Sequence, residues 1–95
     1  MLGFSYFNYM DYTRHLWKER EHMLRRSFVF PTFLSAIDFI NEVATLSENH
    51  RHHPNICVDY TCVRLSLSTH DEGGTVTSKD HKLAHAIDLL YRSDS

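Results

Sequence analysis

Glycine and proline are scarce, 3 and 2 in 95 residues, which excludes collagen-like or low-complexity segments and long flexible linkers. Cysteine is as scarce: Cys57 and Cys62 are the only two, and a loop that short would stabilise little if closed by a disulfide. A disulfide scaffold is excluded, and both are expected as reduced, small core hydrophobes in a cytosol-like compartment. No basic excess exists: the formal net charge is -2, so the chain carries no overall footprint for nucleic acid, and the pair Arg25-Arg26 is too short a run to supply one. No window approaches the roughly 18 apolar residues of a membrane span. The aromatic start MLGFSYFNYMDY lacks the cationic and small-residue features of a secretory signal. A cytoplasmic protein is expected, with nuclear or organellar residence left open.

What remains is one domain over residues 1–95, ordinary in its 42% hydrophobic and 23% charged residues. Leu2, Tyr6, Tyr9, Met10, Thr13 and Leu16 recur at roughly helical spacing and predict a leading helix over 2–16. Leu24, Arg26, Phe28 and Phe30 then fall on one face of an extended segment, with Val29 on the other, and predict a strand paired with one around Trp17 to Glu21. Pro31 closes that strand and Thr32 can cap a helix in which Phe33, Ala36, Ile37, Ile40, Val43 and Ala44 recur at three- and four-residue steps, ending near Ser47 or Glu48. Ile56, Val58, Tyr60 and Cys62 alternate on one parity and Val63, Leu65 and Leu67 on the other. That reversal requires a tight turn or bulge near Thr61 and Cys62 between two short strands, and simple counting places Cys57 and Cys62 on opposite parities. After the polar loop STHDEGG, the segment TSKD forms a capping box for a last helix with Leu83, Ala84, Ile87, Leu90 and Tyr91 inward. The order is that of an α+β two-layer domain: a four-stranded antiparallel sheet with helices on one face, β-β-α-β-β-α behind the leading helix.

Histidine is what the chain has in quantity, 8 residues, three of them in the run HRHHP at positions 50–54. Imidazole titrates near neutral pH, so such a cluster points to metal binding or proton transfer. Pro54 excludes a helix continuing through the run and favours extended backbone at His53. The strand that follows ends in Ser68, Thr69, His70 and Asp71, and a strand pair returning to one edge would bring His70 towards His52 and His53 as an acid/base cleft. His15, His22, His81 and His85 are expected as solvated residues. A metal reading would draw on His50, His52 or His53 with His70 or Cys57, but neither CxxC, HExxH nor paired carboxylates support it. Ser68 and Thr69 lack a nucleophile elbow, and Gly73-Gly74 alone is no phosphate loop.

The spacing Glu48, three residues, His52-His53-Pro54, five residues, Tyr60, nine residues, His70, nine residues, Asp80 resembles that of the pterin-4a-carbinolamine dehydratase family, which includes the dimerisation cofactor of hepatocyte nuclear factor. Trp17 with Leu24, Arg26, Phe28, Phe30, Phe33, Ala36, Phe39 and Val43 resembles its strand-to-helix signature, and TSKDHKLAHAID its final helix. The resemblance runs from Trp17 to Asp88. It implies a dehydratase that removes water from 4a-hydroxytetrahydropterin, without metal or organic cofactor, as a homodimer or homotetramer, with no direct nucleic-acid or membrane partner. It further implies His52 and His70 as the acid/base pair and His53 as a catalytic-site residue that binds and orients the pterin. By the same carry-over, Arg51, His52, His53, Pro54, Ser68, Thr69, His70 and Asp71 form the pocket walls, and Glu48 and Asp80 orient imidazoles. The alternative it leaves open is a non-catalytic interaction module. Arg51 stands where some members have an acidic or small residue, and a cation there would disfavour imidazolium at His52.

Overall fold

A computed structural model describes residues 16–94. The first two strands, β1 (Lys18–Arg20) and β2 (Met23–Val29), form an antiparallel hairpin. Its two connecting residues, Glu21 and His22, have φ of 52° and 65°, the left-handed pair that a two-residue hairpin needs to match strand twist. Helix α1 (Phe33–His50) follows. Thr32 caps it, accepting Ser35 N–H on Oγ1 at 3.0 Å while its own N–H donates to Ser35 Oγ at 3.3 Å. β3 (Asn55–Asp59) and β4 (Cys62–Leu67) form the second hairpin. A single 3-10 turn, His70–Glu72, then leads to helix α2 (Ser78–Asp94).

The sheet order is β1-β2-β4-β3, antiparallel throughout, and both helices pack on one face. Alternation decides which residues meet them: Leu24, Arg26 and Phe28 from β2 and Val63, Leu65 and Leu67 from β4 are buried, together with Ala36, Phe39, Val43, Leu83, Ala84 and Ile87 from the helices. This is the α+β two-layer arrangement expected. The leading helix expected over 2–16 lies almost wholly outside the described residues.

Three details differ from expectation. Helix α1 runs on to His50, so the histidine run begins inside the helix. Its buried stripe is Ala36, Phe39, Val43 and Ser47, while Phe33 is 47% exposed and Ala44 is exposed. Phe39 takes the central place because its ring packs on Phe28 and Phe30 at 5.1 and 4.9 Å between centroids. Finally, Cys57 and Cys62 lie on the same, open face of the sheet, Cys57 exposed and Cys62 half-buried. Cys57 pairs with Arg64, two residues from Cys62, because the loop is only Tyr60-Thr61, and a two-residue loop reverses parity between the strands it joins.

Candidate acid/base site

The end of α1 places the first histidine. Arg51 adopts left-handed φ of 53°, its N–H donates to Glu48 O at 3.1 Å, and the N–H of His52 reaches back to Ser47 O at 3.1 Å. This pair of bonds is the Schellman closure, normally built on glycine. Ser47 is buried and its hydroxyl donates to Val43 O at 2.7 Å, so the carbonyl that holds His52 belongs to a fixed turn. Arg51 is exposed and contributes through its backbone, and its side chain makes no hydrogen bond or ion pair among the described residues.

Beyond Pro54 the register takes over. Asn55 pairs with Ser66, and extending that antiparallel alignment sets His53 level with Ser68 and His52 level with Thr69. Alternation then sends His52 to the helix side and His53 to the other. The burial agrees: the side chain of His52 is 14% exposed and that of His53 62%.

Asp80, fully buried in the first turn of α2, is where the helix side converges. Its Oδ1 meets His52 Nε2 at 2.5 Å. Its Oδ2 accepts the Thr69 hydroxyl at 2.7 Å and the Thr77 N–H at 2.9 Å. With the Thr69 proton committed to the carboxylate, Thr77 Oγ1 donates to Thr69 Oγ1 at 2.7 Å and accepts Lys79 N–H at 3.3 Å. Burial pushes the Asp80 carboxyl up, but the hydrogen bonds from His52, Thr77 and Thr69 and the charge on His52 outweigh it and hold the group below its ordinary 3.8. The site therefore contains a carboxylate that stays ionised although no water reaches it.

Glu48 repeats the arrangement at the surface, Oε2 meeting His53 Nε2 at 2.5 Å with both side chains mostly exposed. Each imidazole thus presents Nε2 to a carboxylate, which as an acceptor selects the Nε2–H tautomer and leaves a lone pair on Nδ1. Neither Nδ1 has a hydrogen-bond partner among the described residues.

His70 opens the 3-10 turn with an exposed side chain. Its backbone is tied on both sides: Gly73 N–H donates to His70 O at 3.2 Å, Gly74 N–H to Thr69 O at 3.1 Å, and Thr69 N–H to Thr75 O at 2.8 Å. Gly73 and Gly74, at φ 79° and 71°, supply the left-handed turn that side-chain-bearing residues adopt at a cost. No side-chain bond joins His70 to His52 or His53. Its link to them is Thr69, the adjacent residue, which holds the same carboxylate as His52. Ser68 and Pro54 are half-buried and Asp71 is exposed. Thr69 itself is only 2% exposed, so its hydroxyl serves Asp80 and offers nothing to a pocket. The Thr77 and Ser47 contributions escaped the sequence reading, although Thr77 was visible there as a cap. Among the described residues no three His, Cys, Asp or Glu side chains converge as a metal site requires, and no helix is long and apolar enough to cross a membrane.

Two layers and a histidine pair backed by carboxylates define an α+β protein whose candidate acid/base site lies at one end of its second hairpin. The family described as Pterin 4 alpha carbinolamine dehydratase matches residues 8–90, and the chain belongs to it. A Roseiflexus castenholzii protein, provisionally named pterin-4-alpha-carbinolamine dehydratase, is 47% identical over 74 residues, 78% of each chain. A Gloeobacter violaceus protein with the same provisional name is 52% identical over 64 residues, 67% of this chain and 68% of its own. Among solved structures, the transcriptional coactivator/pterin dehydratase of Brucella melitensis superposes with a TM-score of 0.75 at 29% identity, covering 92% of this chain and 94% of that one. A pterin dehydratase-like protein described as a RuBisCO assembly factor in the alpha-carboxysome gives 0.68 at 27% identity, covering 79% and 88%.

Proposed function

We propose that the chain is a dehydratase acting on 4a-hydroxytetrahydropterin, of the biopterin type, in tetrahydropterin recycling. The C4a–O bond breaks, the N5–H proton leaves, and a C4a=N5 double bond forms, giving quinonoid dihydropterin and water. The reaction needs one group to protonate the departing hydroxyl and another to accept the N5 proton. The observation that carries the reading is the pairing of His52 with a buried, ionised Asp80. With Nε2–H committed to the carboxylate, the Nδ1 lone pair is the ring's free acceptor, which suits His52 to the base role. His70, solvated and one residue from Thr69, then delivers the proton to the hydroxyl, and His53, braced by Glu48 on the open side, orients the pterin between them. Arg51, Pro54, Ser68 and Asp71 border that space.

The test is dehydration of 4a-hydroxytetrahydropterin followed by absorbance against the buffer rate. His52→Ala and His70→Ala should each lose on the order of a hundredfold or more in kcat/KM while keeping the far-ultraviolet circular dichroism. A wild-type protein no faster than buffer overturns the reading.

A second reading, a non-catalytic interaction module, draws on a groove of about 540 Å³ between α1 and α2, lined by Leu46, Ala86 and Leu90 among others. It fits an apolar helix of a partner protein. Partner capture that survives His52→Ala, in a protein without turnover, would favour it over the enzyme.

A further inference from the structure

The sheet face turned away from the helices gathers cations that the net charge conceals. Cross-strand pairing sets Lys18 opposite Arg25, Arg25 opposite Ser66, and Ser66 opposite Asn55, one continuous row across all four strands. Arg64, paired with Ser27 and Cys57, and Arg20, paired with Met23, stand two residues from that row on the same face. Strands are about 4.8 Å apart and diagonal neighbours about 7–8 Å, so Lys18, Arg20 and Arg64 all lie within one side-chain reach of Arg25. Together with Ser27, Ser66 and Asn55, all with protons to donate, they line a concavity of about 580 Å³, and no Asp or Glu among the described residues lines it.

The existing partners of these cations are weak. Arg25 Nη2 holds Glu21 at 3.0 Å, an ion pair with 42% and 75% of its side chains exposed, worth little against a better anion. Arg25 Nε is buried without a hydrogen-bond acceptor among the described residues. Arg64 donates to the Cys57 sulfur at 3.6 Å, a poor acceptor. Asp59, the only acid of β3, sits at the far end of the face opposite Cys62.

We propose that this open sheet face is a binding site for a small molecule carrying two or more consecutive phosphoryl groups. The four cations run diagonally across β1, β2 and β4 with Arg25 at the middle, Arg20 and Arg64 on opposite sides of it, a spread longer than a single orthophosphate can span, while the guanidinium fork matches phosphoryl oxygens in pairs. The strand residues facing outwards here include no aromatic ring, so the strands offer no stacking platform of the kind a single-stranded nucleic-acid binder uses. Asn55 and Ser66 lie two residues from His53 and Ser68, so the site shares a rim with the proposed dehydratase centre but does not depend on it.

The experiment is calorimetric titration of the full chain with inorganic tripolyphosphate at low ionic strength, beside orthophosphate and a twelve-nucleotide single-stranded DNA. Saturable binding of one tripolyphosphate per chain, at least about tenfold tighter than orthophosphate and weakening steeply with salt, is expected. The double substitution Arg25→Gln with Arg64→Gln should weaken it on the order of a hundredfold, with unfolding temperature unchanged or raised because like charges are removed. His52→Ala should bind as the wild type does even where turnover is lost, which separates this site from the dehydratase reading. Tripolyphosphate bound no tighter than orthophosphate, or equally by the double variant, overturns the proposal. So does DNA binding tighter than tripolyphosphate, which would make the face a nucleic-acid surface.

Discussion

Two carboxylate-histidine pairs of equal length, 2.5 Å each, occupy opposite ends of the burial scale. Replacing Asp80 by Asn should be severe. His52, Thr69 and Thr77 all donate to this group, and an amide has one oxygen and a nitrogen that donates in turn. A loss of about 3 kcal/mol is expected, measurable by urea denaturation, with turnover falling at least about a hundredfold. Glu48→Gln, at a solvated pair, should change stability by less than about 0.5 kcal/mol and raise KM more than it lowers kcat. The pH response follows from the same contrast. Because the Asp80 carboxyl titrates lower in the folded chain than its ordinary 3.8, the unfolded chain takes up its proton first. The stabilisation is whole above that value and drains away as pH falls through the folded one. Denaturant midpoints measured from pH 6 down should therefore drop near and below about pH 4 in the wild type, and Asp80→Asn should flatten that slope.

The elements show what a sequence makes legible. Pro31-Thr32 opens α1 by side-chain chemistry that can be read directly, and Thr32→Ala should cost about 1 kcal/mol by thermal denaturation although the residue is exposed. The helix end could not be read in that way. The usual stop signal is glycine or asparagine in the left-handed position, and Arg51 carries none of that preference, so the predicted end fell two or three residues short. The positive φ of Glu21 and His22 was equally silent, since neither belongs to the Asn-Gly class that marks such turns. His22→Gly should relieve strain and stabilise the chain by about 0.5 kcal/mol. The shared face of the cysteines was missed by counting through the Tyr60-Thr61 loop. The inward faces of β2 and α2 followed their periodicity.

Across the whole molecule, Asp88 helps to fasten the first hairpin to the last helix, beside the Tyr91 hydroxyl that donates to Val29 O at 3.0 Å. Asp88 accepts Trp17 Nε1–H at 2.7 Å and Arg26 Nη1–H at 2.6 Å, over 71 and 62 residues of sequence. Arg26 is nearly buried, lying 4.3 Å above the Phe28 ring centre and 5.3 Å from that of Tyr91. Asp88→Ala would strand that charge, and a loss of about 2 kcal/mol, roughly 10 °C in Tm, is expected. Such contacts are invisible in a linear reading because nothing local marks Arg26 and Asp88 as partners. The candidate site was more legible than its supports: the spaced histidines pointed to the candidate residues, whereas the Thr77–Thr69–Asp80 chain needed the fold. The closure at the end of α1 also bears on how the chain tolerates length change. His52 is pinned to Ser47 O, so its direction is inherited from the phase of the helix. One residue inserted between Val43 and Ser47 would swing it by about 100° and uncouple it from Asp80. An insertion between His70 and Gly73 would break the bonds that tie His70 and Thr69 to the following turn. Neither side of the site tolerates drift in length, and the helix serves as the ruler for one of them.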